Sequence, residues 1–474
     1  MKRFSNLPVK TLYANGKFPS QPFADAQQYP GRIVSAWDAV ATVNLSKLEG
    51  QHRTKSMDQT NSADDSEISI LYHYFSPDDV VSAIHFGELA EGLVRCGWKV
   101  NAFPTVWGCR DDSRRFSSRE TWHGVTIKRI WRPRFRQASS SGRILNAIWM
   151  IVSWSLLALR RDCSPDVLLI GIDPIFSLLV ARFWKFVKPQ TRIVHWCFDL
   201  YPEAAIVDGL IREDGTVAKL SKHLLRPAYA ACSMVADLGP CMARRLREYP
   251  CTNRLETLVP WALDEQENVM DPDLIERGRI FGAARLAVLY SGSFGRAHGY
   301  DEILDLATLL MPEDVRFAFS IRGNLESELR DAVKRRSLVI PFVPFAKASE
   351  LPSRLACADV HVVALRPEWT GTVVPSKFFG ALSAGRPVLF SGSSDSSIAQ
   401  WIRDYKVGWV LNSSNIAAVA TELLQYADSP QEQKAMREHC FAVYRQCFSR
   451  DVQIERWNER LRSLLSNATS EFSE

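Results

Sequence analysis

Short apolar segments alternate with amphipathic segments along most of this chain, and that alternation constrains its fold more than any other feature. Residues 68–72 form the first apolar segment, and after them apolar residues recur every three to four positions up to Gly97. Such recurrence indicates a helix with one covered face. Strands that are apolar on both faces and separated by helices form parallel sheets. The pattern predicts an α/β fold with doubly wound parallel sheets.

The alternation starts again after a polar connector, which predicts two α/β halves. The predicted boundaries are an extension without periodicity at 1–66, a first domain at 67–268, a connector at 269–285, a second domain at 286–440 and a C-terminal helical segment at 441–474. The predicted strands are 68–72, 99–103, 166–171, 191–196, 286–290, 317–321, 338–340, 360–364 and 387–390.

Composition excludes several classes of protein. The chain has 474 residues, and 58 Lys and Arg against 53 Asp and Glu give a net charge of +5, too small to indicate nucleic acid as a partner. Its ten cysteines form no CxxC pair, so we expect reduced core cysteines and a cytoplasmic protein, either free or peripheral at the inner face of the membrane. No histidine pair has metal-ligand spacing, and we expect no essential metal or cofactor.

Residues 291–299 (SGSFGRAHG), between a predicted strand and a predicted helix, form the strongest local motif. Small residues let backbone N–H groups approach an anion, and Arg296 can add a two-pronged contact to phosphate. The glycine spacing matches neither GxGxxG nor a P-loop. A tight turn that needs glycine only for its backbone conformation is an open alternative.

Two further anion-binding candidates follow strands of the second half. Arg322, Gly323 and Asn324 come directly after one strand, while Pro375 and Ser376 precede Lys377 at a predicted helix start. A lysine there faces the positive end of the helix dipole, and a bound anion would reverse that cost. Ligands bind at the carboxyl ends of such parallel strands, where these loops lie.

Two carboxylates follow a strand of the first half. Asp199 and Glu203 are candidates for substrate positioning or proton transfer, and helix capping is an equally good interpretation. The DxD sequence formed by Asp271 and Asp273 lies in the polar connector, so we interpret it as solvated linker rather than a metal site.

Two neighbouring segments bear on membranes. Residues 144–159 carry no charge, but the stretch is too short to span a bilayer and predicts a buried helix. Before it lies a cationic stretch with Trp131 and Phe135 between its charges, which fits an anionic membrane surface or a lipid-linked phosphate. Nucleic-acid binding and a solvated loop are alternatives. The cations are Lys128, Arg129, Arg132, Arg134 and Arg136.

Several of these motifs together resemble one family. SGSFGRAHGYDEIL, RGN, ADVHVVAL and VVPSKFFGALSAGRPVLFSG resemble bacterial GT-B glycosyltransferases of the large retaining family 4, of the type that builds exopolysaccharide, colanic acid and O-antigen. DLYPEAA at 199–205 resembles that group's first-domain motif. The resemblance implies two Rossmann-like domains facing a cleft, with a nucleotide-sugar donor on the second domain and a lipid-linked or saccharide acceptor on the first.

The resemblance also implies roles for individual residues. Arg296 and Lys377 would contact the donor diphosphate, and with Asp199 they are the catalytic candidates. The substrate-binding candidates are Gly292, Ser293, Phe294, His298, Arg322, Gly323, Asn324, Pro375, Ser376 and Glu203.

The chain departs from the family's pattern at five places. Thr372 and Gly380 stand where many members carry glutamates, His298 replaces a usual lysine, Phe198 replaces a frequent histidine, and residues 76–80 replace a glycine-rich loop. The departures at Thr372, Gly380 and Phe198 support one alternative to a glycosyltransferase, a non-catalytic partner subunit. A sugar-nucleotide epimerase, which can share this architecture, is the other.

Overall fold

A computed structural model describes residues 66–78, 80–109, 113–136 and 139–471. The predicted extension at 1–66 lies outside this range, apart from Ser66. The described chain forms two sheets with helices on both faces, which confirms the predicted α/β class.

The first sheet has eight strands in the order β3-β4-β2-β1-β5-β6-β7-β8. All neighbouring strands are parallel except β3 and β4, which form an antiparallel pair at one edge. The strands are β1 Glu67–Leu71, β2 Lys99–Ala102, β3 Arg119–Trp122, β4 Val125–Lys128, β5 Val167–Ile170, β6 Arg192–Trp196, β7 Met234–Asp237 and β8 Leu255–Thr257.

The second sheet has five strands, all parallel, in the order β10-β9-β11-β12-β13. Because every connection is a crossover, the carboxyl ends of all five strands lie at one edge. The strands are β9 Leu286–Ser293, β10 Val315–Arg322, β11 Val360–Ala364, β12 Val388–Ser391 and β13 Gly408–Leu411.

The α-helices cover both faces of each sheet. They are α1 Val81–Arg95, α2 Ser140–Leu157, α3 Val180–Val187, α4 Glu203–Val207, α5 Thr216–Ala231, α6 Pro240–Leu246, α7 Leu274–Phe281, α8 Asp301–Leu310, α9 Glu326–Arg335, α10 Leu351–Ala356, α11 Lys377–Ser383, α12 Ser397–Tyr405, α13 Ile416–Ala427, α14 Pro430–Val443 and α15 Arg450–Glu471.

The strand predicted at 338–340 is wrong. That segment lies beside the edge strand β10 but joins it only through an isolated bridge between Phe319 and Phe342. Proline has no N–H to donate, and Pro341 contributes only its carbonyl, which accepts from Phe319 N at 3.0 Å. A continuous ladder therefore does not form.

The connector contains a helix, α7, which the sequence analysis missed. Asp273 caps it, because the carboxylate accepts a hydrogen bond from Glu276 N at 2.9 Å and another from Ser353. The interpretation of Asp273 as solvated linker is therefore wrong, because its carboxylate caps the start of α7.

Helix α2 is only half buried, contrary to the prediction for residues 144–159. Met150 and Trp154 are fully buried against the first sheet, whereas Ile148 and Val152 on the opposite side are 52% and 51% exposed. A stretch with apolar residues on every side predicts burial on every side, but no described part of the chain covers the second face. Among the described residues, no helix combines the length and apolar character needed to cross a membrane.

The C-terminal helix α15 completes the core of the first domain. Trp457 is fully buried, with its ring 5.1 Å from that of Trp196. Asn458 accepts a hydrogen bond from Trp98 Nε1 at 2.9 Å, and Ile454 lies against Gly92 of α1. A side chain at Gly92 would collide with Ile454. The Ile454 side chain of α15 therefore packs directly on the backbone of α1.

We expect Trp457→Ala to lower the free energy of unfolding by about 3–5 kcal/mol, because it leaves a cavity between α15 and β6. Chemical denaturation followed by far-UV circular dichroism measures the change. Arg460→Ala, which removes an exposed ion pair with Glu256, is the matched control and should change it by less than about 1 kcal/mol. Equal effects of the two substitutions would contradict the packing role of α15.

Candidate functional site

The carboxyl edge of the second sheet gathers the three anion-binding candidates. Strand β9 ends with Gly292 and Ser293, and the loop after it continues to His298. Strand β10 ends with Arg322, which Gly323 and Asn324 follow, and α11 begins at Lys377. Strands β9 and β10 are neighbours in register, with Ile321 opposite Gly292. The motifs are therefore brought together by the topology.

Gly292 lets the Lys377 side chain cross the end of β9. The φ angle of Gly292 is 133°, in the region that favours glycine. A Cβ atom at this position would lie 2.5 Å from Lys377 Cε, so any other residue would push the lysine away. This is one place in the site where glycine is needed for a close approach as well as for its conformation.

Gly323 likewise allows a close approach, here between the loop after β9 and the loop after β10. Its φ angle is 152°, and a Cβ atom there would collide with the carbonyl oxygen of Phe294. The loops are joined where Phe294 N donates to Arg322 O at 2.8 Å. Phe294 itself is fully buried, so it supports the loop from below and does not line its surface.

Lys377 is a desolvated cation. Its Nζ atom lies 5.4 Å from the centroid of the Tyr290 ring and 3.4 Å from His298 Nε2. Burial lowers the pKa of Lys377 to about 8, because the charged form loses water without gaining a carboxylate. Helix α11 begins there and has only seven residues. The positive charge at this point therefore comes from the lysine and its neighbours rather than from the helix dipole.

His298 is neutral at physiological pH. Burial, with the nearby Lys377 charge as the next cause, lowers its pKa to about 3. Its ring stacks on Phe294 at 5.6 Å, and its Nδ1 atom lies 3.0 Å from Gly295 N and 3.1 Å from Gly295 O. Where a second lysine would repel Lys377, a neutral imidazole offers it a polar contact.

Two arginines add positive charge at this edge. The guanidinium of Arg322 stacks over the Phe345 ring at 4.1 Å, and Arg366, which follows β11, donates to His298 O at 3.2 Å. Among the residues that the structure describes, neither arginine nor Lys377 forms an ion pair with a carboxylate. Three cations without carboxylate partners make this edge receptive to an anion.

Arg296 is held differently. Its Nη1 atom lies 3.1 Å from Asp208 Oδ2 of the first domain, and 55% of its side chain is exposed. A second oxygen of that carboxylate, Asp208 Oδ1, is buried and lacks a hydrogen bond. Arg296 therefore spans the two domains and does not point freely at the sheet edge.

The remaining second-domain candidates lie around the same loops. Ser293 ends β9 and its carbonyl accepts from Tyr290 OH at 3.2 Å, while Asn324 Oδ1 lies beside Gly295. Pro375 and the exposed Ser376 lead into α11.

Asp199 lies in the loop after β6, and this loop contacts the second domain. Leu200 N donates to Thr372 O at 2.8 Å, so this loop touches the segment that leads to Lys377. Burial raises the pKa of Asp199 to about 6. The carboxylate lines a cavity of about 20 Å³ together with His195 and Tyr201, an environment that can hold a proton.

Glu203 does not belong to this edge. Its Oε1 atom accepts from Tyr249 OH at 2.8 Å and pairs with Lys222 at 3.5 Å, and the residue is buried inside the first domain. The structure gives it a packing role between α4 and α5, which leaves its proposed contact with substrate without support from the geometry.

Two of the departures from the family pattern have structural consequences. Thr372 is fully buried and its hydroxyl donates to Trp369 O at 2.7 Å, so it stabilises a turn. At Gly380 a Cβ atom would meet nothing within 4 Å, which leaves open space beside α11. Among the described residues, no three His, Cys, Asp or Glu side chains are grouped as a metal site requires.

The cationic stretch is not one surface. Arg132 is fully buried, donating to Asn146 Oδ1 at 2.8 Å and lying 3.1 Å from His73 Nε2. Arg129 is also buried and pairs with Glu120 at 2.6 Å, while Lys128 is half-buried. Only Arg134 and Arg136 of the five are exposed, so the prediction that all five meet a membrane is wrong.

Two residues of the site escaped the sequence analysis. Arg366 stands two positions beyond β11, and that position at the carboxyl end of a parallel strand was a usable signal. Asp208 pairs with a residue 88 positions away, and no local pattern announces such a contact.

No protein-family model matches the chain. Two curated proteins are similar to it in sequence. "Probable glycosyltransferase WbjE" of Pseudomonas aeruginosa is 23% identical over 71% of this chain and 84% of its own length. "Putative colanic acid biosynthesis glycosyl transferase WcaI" of Escherichia coli K12 is 23% identical over 77% of this chain and 93% of its own length.

Solved structures are similar in fold. The catalytic domain of starch synthase IV from Arabidopsis thaliana, bound to ADP and acarbose, matches with a TM-score of 0.61 and 10% identity over 85% of this chain and 99% of its own. HepE from Anabaena in complex with UDP matches with a TM-score of 0.57 and 13% identity, over 84% of this chain and 100% of its own. These neighbours confirm the GT-B fold, and both comparisons support a glycosyltransferase at the level of the class.

We expect Lys377→Met to stabilise the protein at pH 7 by about 1–3 kcal/mol, because it removes a charge that is buried without a carboxylate. Between pH 8 and about 10.4 the unfolded lysine holds a proton that the folded one releases, so the folded wild type regains stability as pH rises. The gain should therefore shrink at pH 9.5. Urea denaturation at pH 7.0 and 9.5 measures it.

Lys219→Met is the control, because Lys219 is exposed on α5. This substitution should have the same small effect at both pH values. A gain for Lys377→Met that is equal at pH 7.0 and 9.5 would show that the buried charge is not its cause.

Proposed function

We propose that this chain is a glycosyltransferase that binds a nucleotide-sugar donor at the carboxyl edge of the second sheet. The observation that carries the proposal is Lys377, a desolvated ammonium placed over Gly292 with no carboxylate partner among the described residues. The relatives named as glycosyltransferases and the UDP complex of a protein with the same fold support it.

The chemistry requires positive charge at that point. Transfer breaks the bond between the anomeric carbon and the diphosphate oxygen, and the electron pair leaves on the nucleoside diphosphate. Preorganised donors that meet this growing charge lower the barrier. Lys377 and Arg322 supply two cations, and the loop after β9 supplies backbone N–H groups. A bound diphosphate favours the charged form of Lys377, so the ammonium is present when it is needed.

The proposal includes finer points. The donor site needs no metal ion, because the cations and N–H groups provide the charge. Retention of anomeric configuration follows from the resemblance to family 4.

Asp199, at the meeting point of the two domains, positions the acceptor or holds its proton. The acceptor is a lipid-linked or free saccharide of bacterial surface polysaccharide assembly. The protein works in the cytoplasm, at the inner face of the membrane.

A thermal-shift screen of the purified chain against UDP-, GDP- and ADP-sugars tests donor binding. A donor that binds only the folded state raises its stability by about 2.7 kcal/mol at one hundred times the dissociation constant. We expect one nucleotide class to raise the melting temperature and the other two to leave it near that of the free protein. The absence of a shift with every nucleotide sugar would contradict the proposal.

With the donor found, Lys377→Ala should lower turnover at least tenfold while the circular dichroism spectrum stays unchanged, because the leaving group loses a charge partner. Release of the nucleoside diphosphate measures turnover, and Lys219→Ala is the matched control. Unchanged turnover in Lys377→Ala would contradict the assignment of Lys377 to the leaving group.

Conversion of the donor into an isomeric nucleotide sugar without acceptor would identify an epimerase. Donor binding without turnover would identify a non-catalytic subunit.

A further inference from the structure

Helix α2 carries an exposed apolar face that no described residue covers. Its members are between 40% and 56% exposed and recur at helical spacing, so they form one stripe along the helix. Apolar side chains on monomeric proteins are usually scattered, and a contiguous patch indicates an interaction site. The α2 apolar face consists of Leu145, Ile148, Trp149, Val152 and Leu156, and Leu159 lies in the turn just after the helix.

A pair of tryptophans extends this face at its N-terminal half. The rings of Trp131 and Trp149 meet edge to face at 5.7 Å, and Trp149 Nε1 donates to Trp131 O at 3.0 Å. Both stay exposed, at 54% and 40%. Tryptophan is enriched where an apolar interior meets a wet headgroup layer, because its ring is amphipathic.

The charges around the face are mostly positive, and Asp162, just beyond the last of the cations, is paired with Arg160 at 2.9 Å. Between Lys128 and Arg161 the sequence contains eight Lys and Arg and no Asp or Glu. Two of these arginines are buried, whereas Arg134, Arg136 and Arg143 are exposed near the start of α2 and Arg160 and Arg161 lie beyond its end. An apolar stripe with cations at both ends complements a bilayer of anionic lipids, which presents negative charge around an apolar interior.

We propose that the α2 apolar face docks this protein on an anionic lipid bilayer. The helix lies in the plane of the interface: its buried side, with Met150 and Trp154, stays on the first sheet while the exposed side enters the boundary between headgroups and acyl chains. The contact is therefore carried by α2 and its flanking arginines rather than by the cationic stretch as a whole.

The buried side of α2 is connected to the carboxyl edge of the first sheet. Asn146, on the buried side of α2, is hydrogen-bonded to Arg132, which lies 3.1 Å from His73 Nε2. His73 follows β1, at the carboxyl edge of the first sheet. If the chain is a glycosyltransferase as proposed, a lipid-linked acceptor can reach the first domain without leaving the bilayer. Lipid binding itself does not depend on that function.

Vesicle co-sedimentation of the full chain tests the proposal. Vesicles of phosphatidylcholine with 30% phosphatidylglycerol are compared with pure phosphatidylcholine, each at 50 mM and 500 mM salt. The triple variant Ile148→Ser, Val152→Ser, Leu156→Ser removes three members of the stripe. The control triple variant Leu274→Ser, Ile275→Ser, Val339→Ser makes the same chemical change at residues that are 73%, 88% and 81% exposed elsewhere.

We expect the wild type and the control to bind the anionic vesicles, with binding weakened by salt and by the absence of phosphatidylglycerol. The α2 triple variant should bind at least tenfold more weakly. Equal binding by the two triple variants, or no binding by the wild type, would overturn the proposal. So would light scattering that shows a dimer for the wild type and a monomer for the α2 variant, because a second copy would then cover the face.

The donor thermal-shift screen separates this proposal from the proposed function. Donor binding without vesicle binding overturns the docking surface alone. Vesicle binding by a chain that binds no nucleotide sugar supports the docking surface and contradicts the glycosyltransferase.

Discussion

The candidate site depends on one close approach, that of the Lys377 side chain to the backbone of Gly292. A cation can remain desolvated without a carboxylate only if the surrounding structure holds it there at a cost. The buried ring of Tyr290, the neutral His298 and the missing Cβ atom of Gly292 together hold it. These residues lie at one edge because the strands before them are parallel. The concentration of positive charge at the site therefore follows from the fold.

The first domain contributes through its contacts with this edge. Asp208 pairs with Arg296, and Leu200 is hydrogen-bonded to Thr372. Leu200 and Asp208 both lie between β6 and α5, so both contacts join that segment of the first domain to the second domain. A diphosphate at the edge would compete with Asp208 for Arg296, so donor binding and the relative position of the domains are linked by the same charge.

The fold and the loops of the second domain could be predicted because their signals are local. Continuous apolar runs mark β9 and β11, and glycines mark the turns at 292 and 323. What could not be predicted depends on partners distant in sequence. Glu203 and Asp199 look alike in DLYPEAA, yet Tyr249 and Lys222 bind the first and leave the second at the domain boundary. Likewise, composition could not distinguish a wholly buried α2 from one with an open face.

The return of α15 to the first domain has a consequence for synthesis. Strands β1 to β8 are complete once the ribosome passes residue 257, but the tryptophan that fills their core stands at position 457. Domains generally fold as units in the order in which they emerge, but here the core of the earlier unit is completed only by the last helix of the later one. Until then Trp196 and the α1 surface around Gly92 lack one of the side chains that pack on each of them. A nascent chain stalled between the two domains would therefore be a substrate for chaperones rather than a folded first domain.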